Sequence, residues 1–367
     1  MKNIIKSKFI NIKKLITDND YLLALLVGLI VLLSGTFFGW YNNKVVPLNT
    51  DSYARYTLEA GNKLSYMSNW DGPNYIHIAT HGYTSSSLTN FFPLYPLLVH
   101  GVNQIVSSPL YSALIVSWVA FLFAVFFFIK IIKLIFKDIN YTEKIRALLL
   151  FIFFPTAVFF IATYTESLLA ALALGAIYFT LKKRFYLASV LTIFSSATHL
   201  TGEFVVLLIM MMSWENRHSI KRFLSVGVVG SLGLLSYAIY LDEKFHKPLL
   251  FISSQEKHGW IHSSYLQLLN SIDLFNIIFI ILLLLSAVYW WSRKRSFSVY
   301  SLLFLLIPIL GREFGGFNRY ILMAFPVQLM FYGYLKKRPA LYPIVLALFV
   351  ITWTYFLLQY AGGYVGG

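Results

Sequence analysis

Between Tyr21 and Trp40 the chain runs for twenty residues without a charge, and Tyr111–Ile129 and Leu341–Tyr360 repeat the pattern over similar lengths. A helix rises about 1.5 Å per residue, so each run matches the roughly 30 Å hydrocarbon core of a bilayer. Backbone N–H and C=O groups find no water there and must pair within the segment, which makes such runs helical. The remainder is built alike: 58% of the 367 residues are hydrophobic and only 12% are charged. A soluble domain of this size carries about a quarter charged residues. The chain therefore reads as an all-α polytopic integral membrane protein, a single membrane domain over residues 1–367.

Basic clusters set the expected topology. They fall at Lys2–Lys14, Lys130–Arg146, Lys182–Arg184, Arg217–Arg222, Arg293–Arg295 and Lys336–Arg338, and hold 22 of the 30 Lys and Arg residues. Keeping all six on the cytoplasmic side requires an even number of crossings between neighbours. Tyr21–Trp40 pairs with Tyr111–Ile129, and Ile145–Ala162 with Ser167–Leu181. Between Arg184 and Arg217 the polar THLTGE at Thr198–Glu203 divides a short stretch into a tight hairpin. Phe223–Leu241 pairs with Ile272–Trp291, Val299–Leu310 with Tyr320–Tyr334, and Leu341–Tyr360 comes last. That makes about eleven transmembrane helices, with the N-terminus inside.

Ahead of the first crossing, Ile5, Phe9, Ile12 and Ile16 recur at helical spacing beside lysines, as in a helix lying on the inner membrane surface. Two long external loops remain, 41–110 and 242–271, with short outer turns at Thr163–Glu166, Thr198–Glu203 and Gly311–Arg319. The basic excess is thus assigned to topology and membrane lipids, not to nucleic acid. No cysteine is present, which excludes disulfides and thiolate metal sites.

The first external loop contains NWDGPNYIHIATHGY, from Asn69 to Tyr83. Pro73 suits the first turn of a helix and Gly82 its C-terminal stop. Asp71 then precedes a helix N-terminus, where it either caps the helix or, kept anionic by the free N–H groups, serves as a general base. His77 and His81 stand four apart, but with one carboxylate in view no metal site is expected. FFPLYPLL (Phe91–Leu98) is too short and proline-rich to span, and reads as a re-entrant or surface segment. In ATYTESL (Ala162–Leu168), Glu166 is either a cap with Thr165 or a functional acid. His199 and Glu203, at the hairpin tip, should face protein or water. FISSQEKHGW offers Gln255, Lys257 and His258, and GREFGGFNRY offers Arg312, Arg319 and Tyr320. Two arginines suit an anionic headgroup, although Arg319 at the start of a span has the alternative of snorkelling to lipid phosphates.

Taken in order, WDGPNYIHIATHGY, FFPLYPLL, YTESL and GFNRY with Phe325-Pro326 just after resemble the PIG-V-type mannosyltransferases. That family adds the second mannose of eukaryotic GPI anchors and has prokaryotic relatives of undefined acceptor. The resemblance implies the GT-C glycosyltransferase fold, with the active site on the outer face beneath a long first external loop of membrane-surface helices. It implies a polyprenyl-phosphate-sugar donor, mannose on this ground alone, a glycolipid or glycan acceptor, and no cofactor. Asp71 becomes the general base of an inverting transfer, with Asp51 in NTDSY as the alternative base. Tyr75, Glu166 and Gln255 are then expected on sugar hydroxyls, and Arg319 with His199 or His81 on the phosphate. Trp70 and Tyr320 complete the substrate-binding set. One position departs from the pattern: the family's A-T-R-x-x-G hairpin tip is Ala197-Thr198-His199 with Gly202 here. Either His199 replaces that cation or the phosphate is held differently.

The competing reading is a lipid-linked-sugar flippase or small-molecule transporter, which should place ionisable groups near mid-membrane on broken helices. Here span centres such as Ile281–Leu285 are apolar and the acids gather at outer helix ends, which favours a one-sided enzyme site. The lysine-rich, cysteine-free composition without a retention signal points to a prokaryotic plasma membrane.

Overall fold

A computed structural model describes residues 19–45, 63–217, 219–257, 265–312 and 314–364. Among these, every regular element is a helix. The inner-surface helix expected near Ile5–Ile16 lies outside the described residues.

Helix α1 (Asp20–Val45) is the first long apolar element. After it follow α2 (Gly72–His81) and α3 (Leu94–Val106), of 10 and 13 residues, too short to cross. FFPLYPLL opens α3, with Pro93 at its N-cap and the Tyr95 hydroxyl donating to the Ala113 carbonyl at 3.0 Å. Helix α4 (Pro109–Ile135) begins on a proline, whose missing N–H is harmless in a first turn, and the Ser108 side chain caps it. Next come α5 (Tyr141–Ile152), α6 (Glu166–Leu181), α7 (Phe185–Thr198) and α8 (Gly202–Arg217). Helices α9 (Ile220–Gly230) and α10 (Leu232–Phe245) run nearly end to end across Ser231. Two short helices come next, α11 (Leu250–Lys257) and α12 (Tyr265–Asn270). Then follow α13 (Leu274–Trp291), α14 (Arg295–Leu303), α15 (Leu306–Gly311), α16 (Phe317–Tyr320), α17 (Phe325–Leu335) and α18 (Tyr342–Gly362).

By length and composition α1, α4, the α9–α10 rod, α13 and α18 are each able to cross a membrane. Three other expected crossings are not continuous helices, and proline explains each. Ile145–Ala162 stops at Ile152, near Pro155, and resumes as a 3-10 turn at Ala157–Phe160. Val299–Leu310 divides into α14 and α15, because Pro308 has no N–H to offer the Phe304 carbonyl. Tyr320–Tyr334 is a 3-10 turn at Ile321–Met323 followed by α17, with Pro326 in its first turn.

Helix α6 forms the centre, buried on nearly every side and packed between α4 and α7. Its Ala170, Ala173, Gly175 and Ala176 allow those neighbours to come close, the usual solution where lipid supplies no drive for helix association. Helices α7 and α8 form the expected hairpin. A Cβ at Gly202 would lie 2.0 Å from the Ser195 carbonyl oxygen, so only glycine fits where the chain turns back.

Charge segregates to the two ends of the bundle. At one end Asp20 receives Lys130, Lys133 and Lys144 at 2.8, 2.7 and 2.9 Å. There too Glu143 pairs with Arg146 at 3.1 Å and accepts from the Tyr332 hydroxyl at 2.9 Å. Glu215 accepts from the Ser296 N–H and hydroxyl at 2.6 and 2.8 Å, and lies 3.5 Å from Lys294. Of the basic clusters, Lys130, Lys133, Lys144, Arg146 and Lys294 thus pair with acids at this end. The ends of α6 and α8 remote from this layer carry Glu166 and the His199 hairpin tip.

Candidate active site

The site is built on a tight turn, Asn69–Gly72, entering α2. Trp70 adopts a left-handed backbone at φ 58°, uncommon for a bulky residue and sustained only by surrounding structure. Two buried tyrosines supply that structure. The Tyr164 hydroxyl accepts from the Asp71 N–H at 3.1 Å and donates to the Asn69 carbonyl at 3.2 Å. The Tyr360 hydroxyl, from α18, accepts from the Asn69 N–H at 3.2 Å and donates to the Met67 carbonyl at 3.0 Å, while the Asn69 side-chain amide donates to the Tyr360 carbonyl at 2.7 Å. Gly72 admits close packing, since a Cβ there would meet Thr163 Oγ1 at 2.3 Å.

Held in this way, Asp71 occupies the N-cap position of α2 but its side chain caps nothing. Its Oδ2 instead accepts from Nη1 of Arg319, contributed by α16. The Asp71 side chain keeps 26% of its surface exposed, whereas that of Arg319 keeps 8%. Arg319 Nη2 donates to the Tyr320 hydroxyl at 3.1 Å, and the guanidinium lies 5.2 and 5.0 Å from the Tyr164 and Tyr320 ring centres. Its Nε is 3.0 Å from Glu166 Oε1, an ion pair without the alignment of a hydrogen bond. One cation therefore serves two carboxylates. Glu166 is the buried one, in the turn ahead of the apolar Ser167–Leu181; burial pushes its carboxyl up to about 7, against the pull of Arg319.

His199 joins this cluster from the hairpin tip, its ring 5.4 Å from Tyr320 and 6.4 Å from Phe92. Its Nδ1 accepts from the Thr201 N–H at 3.1 Å, which leaves the ring proton on Nε2. Burial, and then the charge of Arg319, hold the imidazole neutral with a pKa of about 3. His199 is thus a neutral N–H donor in this arrangement and does not supply the cation of an arginine. The buried cation here is Arg319. Trp70 Nε1, Asn69 Oδ1 and Asn318 Oδ1, also buried, have no hydrogen-bond partner among the described residues. Such orphaned groups suit a polar ligand.

Of the other expected residues, Tyr75 adjoins the cluster, whereas His81 and Gln255 stand apart from it. Tyr75 is 2% exposed and packs on Phe91, Tyr95 and Tyr164, supporting the site from beneath. His81 stands exposed at the far end of α2, about 15 Å of helix from Asp71, bonded to Thr80 and stacked on His77. The ion cluster does not include it. Gln255 is on α11, which packs on the 3-10 turn Ser86–Asn90, and does not join the cluster either. Asp51 and His258 lie outside the described residues. Among the described residues no three His, Asp or Glu side chains gather to hold a metal ion. Tyr164 and Tyr360 were not anticipated; Tyr164 lies inside the quoted YTESL, whereas Tyr360 carries no local signal at all.

The turn, Glu166 and the hairpin tip all fall within residues 29–213, the half of the chain that matches the family described as mannosyltransferase (PIG-V). Over 115 residues the chain is 32% identical to GPI mannosyltransferase 2 of Drosophila pseudoobscura pseudoobscura, covering 29% of this chain and 25% of that protein. Over 136 residues it is 30% identical to GPI mannosyltransferase 2 of Drosophila melanogaster, covering 34% and 30%. The matched region thus spans less than a third of either relative's length. No solved structure matches the chain. With the family match spanning the turn, the buried acid and the hairpin, the chain belongs to the PIG-V mannosyltransferase family.

Proposed function

We propose that this protein transfers a mannosyl group from a polyprenyl-phosphate-linked donor to a hydroxyl of a glycolipid or glycan, with Asp71 as general base. The observation that carries this reading is the meeting of Asp71, Glu166 and Arg319, from three distant parts of the sequence, at the end of the bundle opposite the basic layer. The acceptor oxygen bonds to the anomeric carbon as the bond to the phosphate oxygen breaks on the other face, which inverts the centre. Asp71 takes the acceptor proton and the polyprenyl phosphate departs as an anion. Asp71 suits this task better than Glu166, because its carboxylate retains access to solvent. While Arg319 donates to Asp71, that carboxylate oxygen is occupied. A donor phosphate drawing the guanidinium toward itself frees the base at the moment it is needed, and the Tyr320 hydroxyl and His199 Nε2–H add neutral donors for the departing oxygen. In this reading the basic layer faces the cytoplasm of a prokaryotic plasma membrane and the site faces outward, within a GT-C-type fold.

The test is transfer by purified protein in nanodiscs, with radiolabelled polyprenyl-phosphate mannose and lipid extracts as acceptors, with and without chelator. Transfer that Asp71→Asn abolishes while donor binding persists supports the assignment. Equal transfer by both proteins removes Asp71 and directs attention to Asp51. Folded protein that transfers no polyprenyl-phosphate sugar sinks the enzyme reading in favour of a transporter.

A further inference from the structure

In the basic layer, remote from Asp71, a cleft of about 1330 Å³ opens between α8, α9, α13 and the start of α14. Its walls are layered. Leu207, Met211, Phe223 and Val299 form an apolar part, while Asn216, Arg293, Lys294 and Arg295 form a polar one. Trp214 and Trp291 also line it, 40% and 58% exposed. On α8 the positions Leu207, Met211 and Trp214 share one face, so the apolar wall extends about 10 Å along the helix before the polar residues begin.

The charges in this cleft are unbalanced. Its one lining carboxylate, Glu215, is taken by Lys294 and by the first turn of α14 at Ser296. Arg293 and Arg295 have no carboxylate partner among the described residues. Each is held instead by an aromatic ring: Arg293 lies 4.2 Å from the Tyr289 ring centre, and Arg295 lies 5.8 Å from that of Trp291. Arg293 also donates to the Tyr289 carbonyl. Two guanidiniums oriented by rings and facing no acid are prepared for an oxyanion.

We propose that this cleft binds an anionic phospholipid. The lipid phosphate sits on Arg293 and Arg295, the acyl chain lies along Leu207, Met211 and Val299, and the two tryptophans take the interfacial level between them. A soluble anion has no use for so deep an apolar wall. A zwitterionic lipid offers the same phosphate but brings an ammonium with it, and so leaves the net charge of the arginine pair uncompensated. The inference stands on the basic end alone and is independent of the chemistry assigned to Asp71.

Tryptophan quenching by brominated lipids tests it, with purified full-length protein in nanodiscs. Brominated phosphatidylglycerol should quench saturably and about thirtyfold more effectively than brominated phosphatidylcholine, the preference expected of a pair of basic residues at a membrane surface. Arg293→Gln with Arg295→Gln should bring the two lipids to parity. Val299→Phe, which fills the apolar part and leaves both arginines, should do the same and guards against a folding artefact of the double variant. Equal quenching by both lipids in the unaltered protein would overturn the proposal. So would reversal of the phosphatidylglycerol effect by glycerol 3-phosphate, which would mark a small-anion site instead.

Discussion

Arg319 donates to the carboxylate of Asp71 across 248 residues of sequence, and its Nε reaches Glu166 from the same buried position. The two carboxylates belong to different helix starts, yet one guanidinium compensates both. Stability at this end of the molecule and, in the proposed mechanism, the chemistry therefore depend on the same side chain.

Arg319→Ala leaves both acids without their cation in a poorly hydrated place. Breaking such a buried pair costs about 3–5 kcal/mol. The expected outcome is a clear fall in Tm in detergent together with loss of transfer. Arg319→Lys should fold better but still lose about tenfold to a hundredfold in transfer, because one ammonium cannot reach Asp71, Glu166 and Tyr320 at once.

Asp71 and Glu166 should separate by substitution. Asp71→Asn should reduce transfer by about 10²- to 10⁴-fold, the range for removing a general base. Glu166→Gln, which resembles the protonated acid, should lose far less. Single-turnover transfer near neutral pH distinguishes the two.

The raised pKa of Glu166 also has a sign in stability. Its native carboxyl holds a proton up to about 7, while an unfolded one releases it near 4.5. Its contribution is thus fully present below 4.5 and declines as pH rises through 7. Tm measured from pH 5 to 8 should fall more steeply for the natural protein than for Glu166→Gln, and matching slopes would remove this account of Glu166.

His199 is held neutral, so it should contribute no titration between pH 5 and 8. His199→Asn should lower the amplitude of transfer but leave the shape of its pH profile unchanged. A limb near pH 6.5 that vanished in the variant would show instead that the imidazole ionises in use.

Much of the fold is legible in the sequence because the bilayer imposes one rule on every long apolar run. The helices around Tyr21–Trp40, Tyr111–Ile129, Ile272–Trp291 and Leu341–Tyr360 appear nearly where hydropathy puts them. The stretches that depart from one continuous helix are those where proline interrupts an apolar run, since hydropathy does not register a missing N–H. At the site, Asp71, Glu166, Arg319 and Tyr320 stand out as polar residues on an otherwise apolar chain, and His199 as a break in a hairpin. His81 stands in the sequence as a phosphate candidate beside Arg319, and spacing along a helix does not reveal that its end of α2 lies away from the ion cluster. Tyr360 was invisible for a simpler reason: in a chain with 25 tyrosines, nothing local marks the one that donates to Met67.

The bonds between Asn69 and Tyr360 also set an order of events in biosynthesis. Their partners are separated by 291 residues, so the turn that aims Asp71 stays unclosed while the intervening helices are made and inserted. Until α18 is in place, Asn69 and the backbone around Trp70 have no α18 groups to bond. The turn that aims Asp71 thus gains its α18 bonds only after the intervening helices have been made.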